Sequence, residues 1–223
     1  MNLLGILKEF WKIMINYNYL WPIFCYLFSS IPQGYLIVKK FTGKDIRQIG
    51  RRKLSGSNII QNVGFLPGII SGLLDVLKGT IAVYGATKLN LSAELVALSG
   101  ILALGGQMWP VFMKFWGGRG GSVCIGSLAI LSPKILLISA LPWILLRISW
   151  KKYGSSIGMI LLIIISAILG FYFEEKAVLI FSLPALFLVY LQRILGEPGS
   201  LWKIKDKKII LWRFLLDRDT KNV

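Results

Sequence analysis

Apolar residues run along the chain in long blocks, separated by short clusters of glycine, proline and charge. Blocks at 19–39, 66–88, 94–114, 156–173 and 176–193 each have the length of a membrane-crossing helix, because about 20 residues at 1.5 Å rise span the hydrocarbon core. Two shorter blocks, 120–132 and 135–150, lie between them. The first of these is too short for a full crossing. Joining the two into a single span would, however, carry Arg147, Lys151 and Lys152 to the opposite side of the membrane. The pattern therefore predicts an all-α, polytopic transmembrane helix bundle of about seven spans with a short fourth. Ahead of the spans, Leu3 to Ile15 mixes Lys8, Glu9 and Lys12 with leucine, isoleucine, phenylalanine and tryptophan, the pattern of a helix lying in the interface. Charges interrupt its apolar stretch and no small-residue cleavage site follows, so it does not read as a signal peptide. Past 197 the chain turns polar and basic, with a short amphipathic run from Ile209 to Leu216. The expected organisation is one transmembrane domain over 1–196, opened by an interfacial helix at 1–17, and a basic cytoplasmic tail over 197–223.

Charge changes this picture by giving it a direction. The 223 residues hold 26 Lys+Arg against 10 Asp+Glu, a net charge of +16. Lys39, Lys40, Lys44, Arg47, Arg51, Arg52, Lys53, Lys114, Arg119, Arg147, Lys151, Lys152 and the tail cations fall on one side of a seven-span scheme. Lys8, Lys12, Lys88, Lys134 and Lys176 fall on the other. The positive-inside rule then puts the N-terminus out and the C-terminus in. With 55% hydrophobic residues, the partner for this charge is an anionic inner leaflet or an anionic substrate rather than nucleic acid. Composition also removes chemistry. There is no histidine, so imidazole bases, Ser-His or Cys-His pairs and histidine-ligated metals are excluded. Cys25 and Cys124 sit far apart in apolar runs and read as small buried residues rather than a redox or metal site. No metal or cofactor is expected.

Three constellations carry candidate chemistry. Asp75 and Lys78 lie in the middle of the second span. Ionisable groups at that depth face protein or a water-filled cavity, and their spacing puts both on one helix face. They serve either as a structural ion pair or as part of a site, and Gly79 beside them lets a second helix approach. The loop Trp116-Gly117-Gly118-Arg119-Gly120-Gly121-Ser122 precedes an apolar helix. Its amides and the following helix N-terminus suit an anion, and Arg119 offers a planar fork to phosphate oxygens. The alternative is a flexible turn with an anchoring arginine. The basic first inner loop runs from Gly43 to Lys53 and continues into Ser55-Gly56-Ser57-Asn58. Together these features point to an inner-leaflet site for an anionic, phosphorylated small molecule.

The same segments resemble the acyl-phosphate:glycerol-3-phosphate acyltransferase family of bacterial membranes. Its serine-isoleucine-proline stretch appears as Ser30-Ile31-Pro32, followed by Gly34-Tyr35-Leu36. Its GxDIRxxG stretch spans Gly43 to Gly50, its DxxKG is Asp75-Val76-Leu77-Lys78-Gly79, and its GHxxPVFxxFxGGKG runs from Gly106 to Gly120. The resemblance implies a transfer of a fatty acyl group from acyl phosphate to the 1-hydroxyl of glycerol 3-phosphate. The products are lysophosphatidic acid, for phospholipid synthesis, and inorganic phosphate. It places the enzyme in a bacterial-type cytoplasmic membrane with its site on the cytoplasmic side. It implies catalytic roles for Arg119, Asn58, Lys78 and Asp75. It also implies substrate contacts from Ser57, Arg47, Gln107, Gly117, Gly118, Gly120, Ser122, Gln192 and Arg193. The departures are specific. Gln107 and Gln192 stand where the family carries histidine, and Arg119 where it carries a glycine-flanked lysine. The family's GSGNxGATN aligns without gaps to Gly50 through Asn58, matching at the first glycine and the final asparagine, with Ser57 similar to threonine. A glutamine cannot hold a phosphate by charge. A non-catalytic relative that binds a phosphate ester or anionic lipid, and a small transporter, are therefore the rival readings.

Overall fold

The computed structural model describes residues 17–50, 52–150 and 154–196, together with Ile210 and Arg213. The expected interfacial helix at Leu3–Ile15, Arg51, Lys151, Lys152 and nearly all of the tail lie outside the described residues. Among the described residues there is no strand. Between residues 17 and 196 the described residues form these α-helices in order: α1 Leu20–Ser29, α2 Gln33–Thr42, α3 Gly56–Asn62, α4 Phe65–Lys88, α5 Ala93–Met108, α6 Gly121–Leu131, α7 Pro133–Ser149, α8 Gly154–Tyr172 and α9 Lys176–Leu195. Among the described residues, four stretches are long and apolar enough to cross a membrane: Phe65–Lys88, Ala93–Met113, Gly154–Tyr172 and Lys176–Leu195.

Their surfaces match that environment. Large apolar side chains such as Phe65, Leu73, Leu137, Leu145, Phe171 and Phe187 point outward, whereas Ser71, Ser99, Ser127, Ser139, Ser166 and Ser182 are buried. Small polar residues inside and large apolar ones outside is the arrangement of helices packed in lipid. Ser166 donates to Ser139 at 3.0 Å, joining α8 to α7. Cys25 and Cys124 are buried and free, as their sequence setting suggests.

The first apolar block is not a continuous helix. It breaks between Ser29 and Gln33, where Pro32 follows Ile31. Proline has no N–H to donate and constrains the residue before it. At the break the ammonium of Lys78 from α4 donates to Ser29 O at 2.8 Å and to Ile31 O at 2.7 Å, and Ile31 O also accepts from Gln33 N at 3.0 Å. The block at 120–132 forms the short α6, of 11 residues. Ser132 then separates it from α7, accepting from Ile135 N ahead of Pro133.

α6 packs against α4 at backbone contact. A Cβ on Gly79 would fall 2.8 Å from Ser127 N, and one on Gly126 would fall 3.0 Å from Thr80 N. Both helices continue into the cavity wall described below. Gly126→Val is therefore expected to force them apart, lowering stability by about 1–3 kcal/mol, read as a lower thermal unfolding midpoint in detergent. An unchanged midpoint would show that the helices are not so closely seated.

Candidate functional site

From α4 to α9 the chain runs back and forth, so one end of the bundle collects the chain ends nearest the site. These are the start of α4, the end of α5, the start of α6, the end of α7, the start of α8 and the end of α9. A cavity of about 430 Å³ opens there. Arg119, Arg147 and Arg193 bring three guanidiniums to its wall, and the first residues of α6, Gly121 and Ser122, bring a helix N-terminus. Ser55 and Ser57 line it from the start of α3, and Ser155 and Ser156 from the start of α8. The apolar part of the wall includes Ile60, Ile69, Leu73, Ile125, Trp143 and Met159. Ile60, Ile69 and Leu73 are also exposed, so the apolar side of the cavity is open where α3 and α4 meet.

The segment 52–55 organises this end of the molecule. Trp116 Nε1 donates to Arg52 O at 2.7 Å, and Lys53 Nζ donates to Gly196 O at 3.0 Å, just past the end of α9. The glycine-rich loop lies against the same segment. Gly118 N donates to Gln107 O at 3.0 Å, and a Cβ on Gly118 would come within 2.7 Å of Leu54 O. Gly120 takes a left-handed φ of +71° as α6 begins, a conformation that favours glycine, and its Cα packs against Leu104 and Met108. Arg119 is carried between these two fixed points.

The ion pair inside α4 is formed, with Lys78 Nζ 3.7 Å from Asp75 Oδ1. Gln33 Nε2 donates to the same carboxylate oxygen. Lys78 also donates to Gln107 Oε1 at 2.7 Å, so the Gln107 carboxamide is held by its oxygen. Arg193 Nη2 donates to Ser156 O at 2.6 Å, linking α9 to the start of α8.

Of the residues singled out from the sequence, Ser57, Asp75, Gln107, Arg119, Gly120, Ser122, Gln192 and Arg193 meet in the cavity wall. The others do not line it. Asn58 is fully buried. Its Nδ2 donates to Ile49 O at 3.2 Å and Lys53 O at 3.1 Å, and its oxygen accepts from Asn62. These bonds tie the first turn of α3 to the segment before it. Lys78 sits behind Asp75 and Gln107, turned toward the broken α1–α2 junction. Gly117 and Gly118 pack closely against Met108, Gln107 and Leu54. Arg47 turns back onto Asp45, whose carboxylate accepts from Arg47 N, Nε and Nη2. It also lies over the Tyr35 ring, 5.7 Å from the centroid.

Hydrogen bonding from Arg47 holds the Asp45 carboxyl below its ordinary value, and Asp45 raises that of Arg47. A depressed carboxyl contributes stability above its unfolded pKa and loses it as pH falls through the folded value. This pair is partly exposed, so Arg47→Ala is expected to cost about 1 kcal/mol or less and to leave acceptor affinity nearly unchanged. A tenfold rise in the acceptor KM would place Arg47 at the site instead.

Arg147, Trp143, Ser155 and Ser156 join the wall without any sequence signal that marked them. Arg147 closes an apolar run just as an interface-anchoring cation does, and only the return of α7 and α8 to this end brings it inside. Gln33 was legible in principle, as a polar residue directly after the proline break. Among the described residues no group of three or more histidine, cysteine, aspartate or glutamate side chains could hold a metal.

A family model described as glycerol-3-phosphate acyltransferase matches residues 19–194. A glycerol-3-phosphate acyltransferase of Thermotoga petrophila is 36% identical over 156 residues, covering 70% of this chain and 79% of that one. One from Desulforamulus reducens is 33% identical over 192 residues, covering 82% of this chain and 93% of that one. Among solved structures, PlsY (YgiH), an integral membrane glycerol 3-phosphate acyltransferase, is similar in its glycerol 3-phosphate form. The TM-score is 0.70 and identity 26%, over 86% of this chain and 100% of that one. Its lysophosphatidic acid form gives 0.63 and 25%, over 89% and 88%.

Proposed function

The chain belongs to the glycerol-3-phosphate acyltransferase family, and from that premise we propose how its cavity carries out the transfer. The observation that carries the reading is the division of the cavity wall, with Arg119, Arg147 and Arg193 on one part and Ile60, Ile69, Leu73, Ile125 and Met159 on the other. A fatty acyl phosphate has that same division, and glycerol 3-phosphate brings a second phosphate to the cationic part. Arg119 and the amides at the start of α6 bind the donor phosphate; Arg193, with Ser57, binds the acceptor. The acyl chain lies along the apolar wall toward lipid.

In the reaction the 1-hydroxyl oxygen bonds to the acyl carbonyl carbon, and the bond from that carbon to the phosphate oxygen breaks. Phosphate leaves with the bonding pair and takes the hydroxyl proton. Because the phosphate takes that proton, the step needs no protein base, and the protein has no histidine while Asp75 is engaged with Lys78 and Gln33. Positioning and charge stabilisation supply the rate. The glutamines at 107 and 192 are compatible with this chemistry because neither has to transfer a proton.

The orientation follows the charge. The end that holds the cavity also holds Lys39, Lys40, Lys44, Arg47, Lys53, Lys114, Arg119, Arg147 and Arg193, against Lys88, Lys134 and Lys176 at the other. By the positive-inside rule the cavity faces the cytoplasm of a plasma membrane. Counting α1–α2 as one crossing and α4 to α9 as six gives seven, with the N-terminus out. Purified protein is expected to release phosphate from palmitoyl phosphate only when glycerol 3-phosphate is present, with lysophosphatidic acid as the lipid product. Folded protein that binds both compounds without release would support the non-catalytic reading.

A further inference from the structure

Gln192 lines the cavity from α9 and is only 3% exposed. Its carboxamide oxygen accepts no hydrogen bond from any described residue. A buried acceptor left empty is costly, and a persistent one in a functional cavity calls for a ligand donor. The other buried lining side chains with a carbonyl-type oxygen are already engaged. Asp75 accepts from Gln33 and faces Lys78, and Gln107 Oε1 accepts from Lys78. The guanidiniums of Arg119, Arg147 and Arg193 only donate. Phosphate suits those donors, but an ionised phosphate offers acceptors and leaves the Gln192 oxygen unsatisfied. The group that satisfies it is a hydroxyl.

Which hydroxyl follows from basicity. An amide oxygen is far too weak a base to take a proton near neutral pH, so the hydroxyl it holds keeps its proton throughout. In the acyl transfer the 1-hydroxyl of glycerol 3-phosphate loses its proton, whereas the 2-hydroxyl retains it. We propose that Gln192 accepts a hydrogen bond from the 2-hydroxyl of the acceptor and makes the enzyme selective for phosphate esters that carry one. This inference rests on the acyltransferase reading and deepens it. A site built to bond a hydroxyl rejects an analogue without it, because the buried acceptor is then stranded.

The test compares three acceptors with the full-length protein in detergent: glycerol 3-phosphate, 3-hydroxypropyl phosphate, which lacks the 2-hydroxyl, and dihydroxyacetone phosphate, which has a carbonyl there. The readout is kcat/KM for acceptor-dependent phosphate release from palmitoyl phosphate. The wild type is expected to favour glycerol 3-phosphate by about 10- to 100-fold over either analogue. In Gln192→Met, similar in volume but without the acceptor, the ratio is expected to collapse to within about threefold. Gln192→Leu replaces it if the methionine variant does not fold. A wild-type ratio within threefold, or a wild-type ratio retained in the variant, overturns the inference while leaving the acyltransferase reading in place. No release from folded wild type with any acceptor overturns that reading and this inference with it.

Discussion

Lys78→Met is expected to destabilise the protein by about 3–5 kcal/mol, because it strands the Asp75 carboxylate inside the bundle. The lysine ammonium does more than balance one charge. It donates to Ser29 O and Ile31 O at the α1–α2 break and holds the Gln107 oxygen. Removing it therefore takes a donor from three acceptors at once, and a buried polar group that loses its partner is costly. The cavity wall suffers too, since Gln107 is released next to the loop that carries Arg119. The double variant Asp75→Asn/Lys78→Met removes the stranded charge and is expected to recover part of the loss, the non-additivity typical of groups in contact. Thermal unfolding of the two single variants and the double variant in one detergent measures this. A double variant as unstable as the sum of the singles would show that the two side chains do not act as a pair.

Arg119→Ala is expected to lower kcat/KM for the acyl transfer by about 10²–10³-fold, the scale for removing one preorganised donor from developing charge. Its thermal midpoint should change little, since the loop is fixed on either side of it by Gly118 N to Gln107 O and by Gly120 against Leu104. Arg119→Lys keeps the charge but loses the planar fork, and is expected to fall between the two. The measurement is acceptor-dependent phosphate release at saturating and limiting palmitoyl phosphate. An alanine variant within threefold of wild type would remove Arg119 from the donor site.

Much of this was legible in residue order. Blocks of apolar residues marked α4, α8 and α9 nearly to their ends and the start of α5, whose block at 94–114 runs past its last residue, Met108, because a helix in lipid must be long and apolar whatever packs beside it. The i, i+3 spacing of Asp75 and Lys78 announced one shared face, and Gly79 announced the close approach that α6 makes. The break at Ser29–Gln33 was marked by Pro32, yet reading 19–39 as one apolar block concealed it. Apolar content measures affinity for lipid and carries no information on backbone continuity.

The roles of the polar residues were less accessible. Asn58 and Arg47 sit in motif positions beside the cavity, but each spends its hydrogen bonds on neighbouring backbone or on Asp45. Arg147 and Trp143 carry no motif and line the cavity. Composition and periodicity alone determined that this chain is a membrane-embedded helical protein with its cations gathered at one end, because the lipid environment acts on each segment independently. Which of those cations converge, which glycines are packing contacts, and which carboxamide oxygen is left for a ligand were decided only by tertiary structure. Those properties depend on how helices distant in sequence return to the same end, and each donor is spent on whatever acceptor the fold brings within about 3 Å.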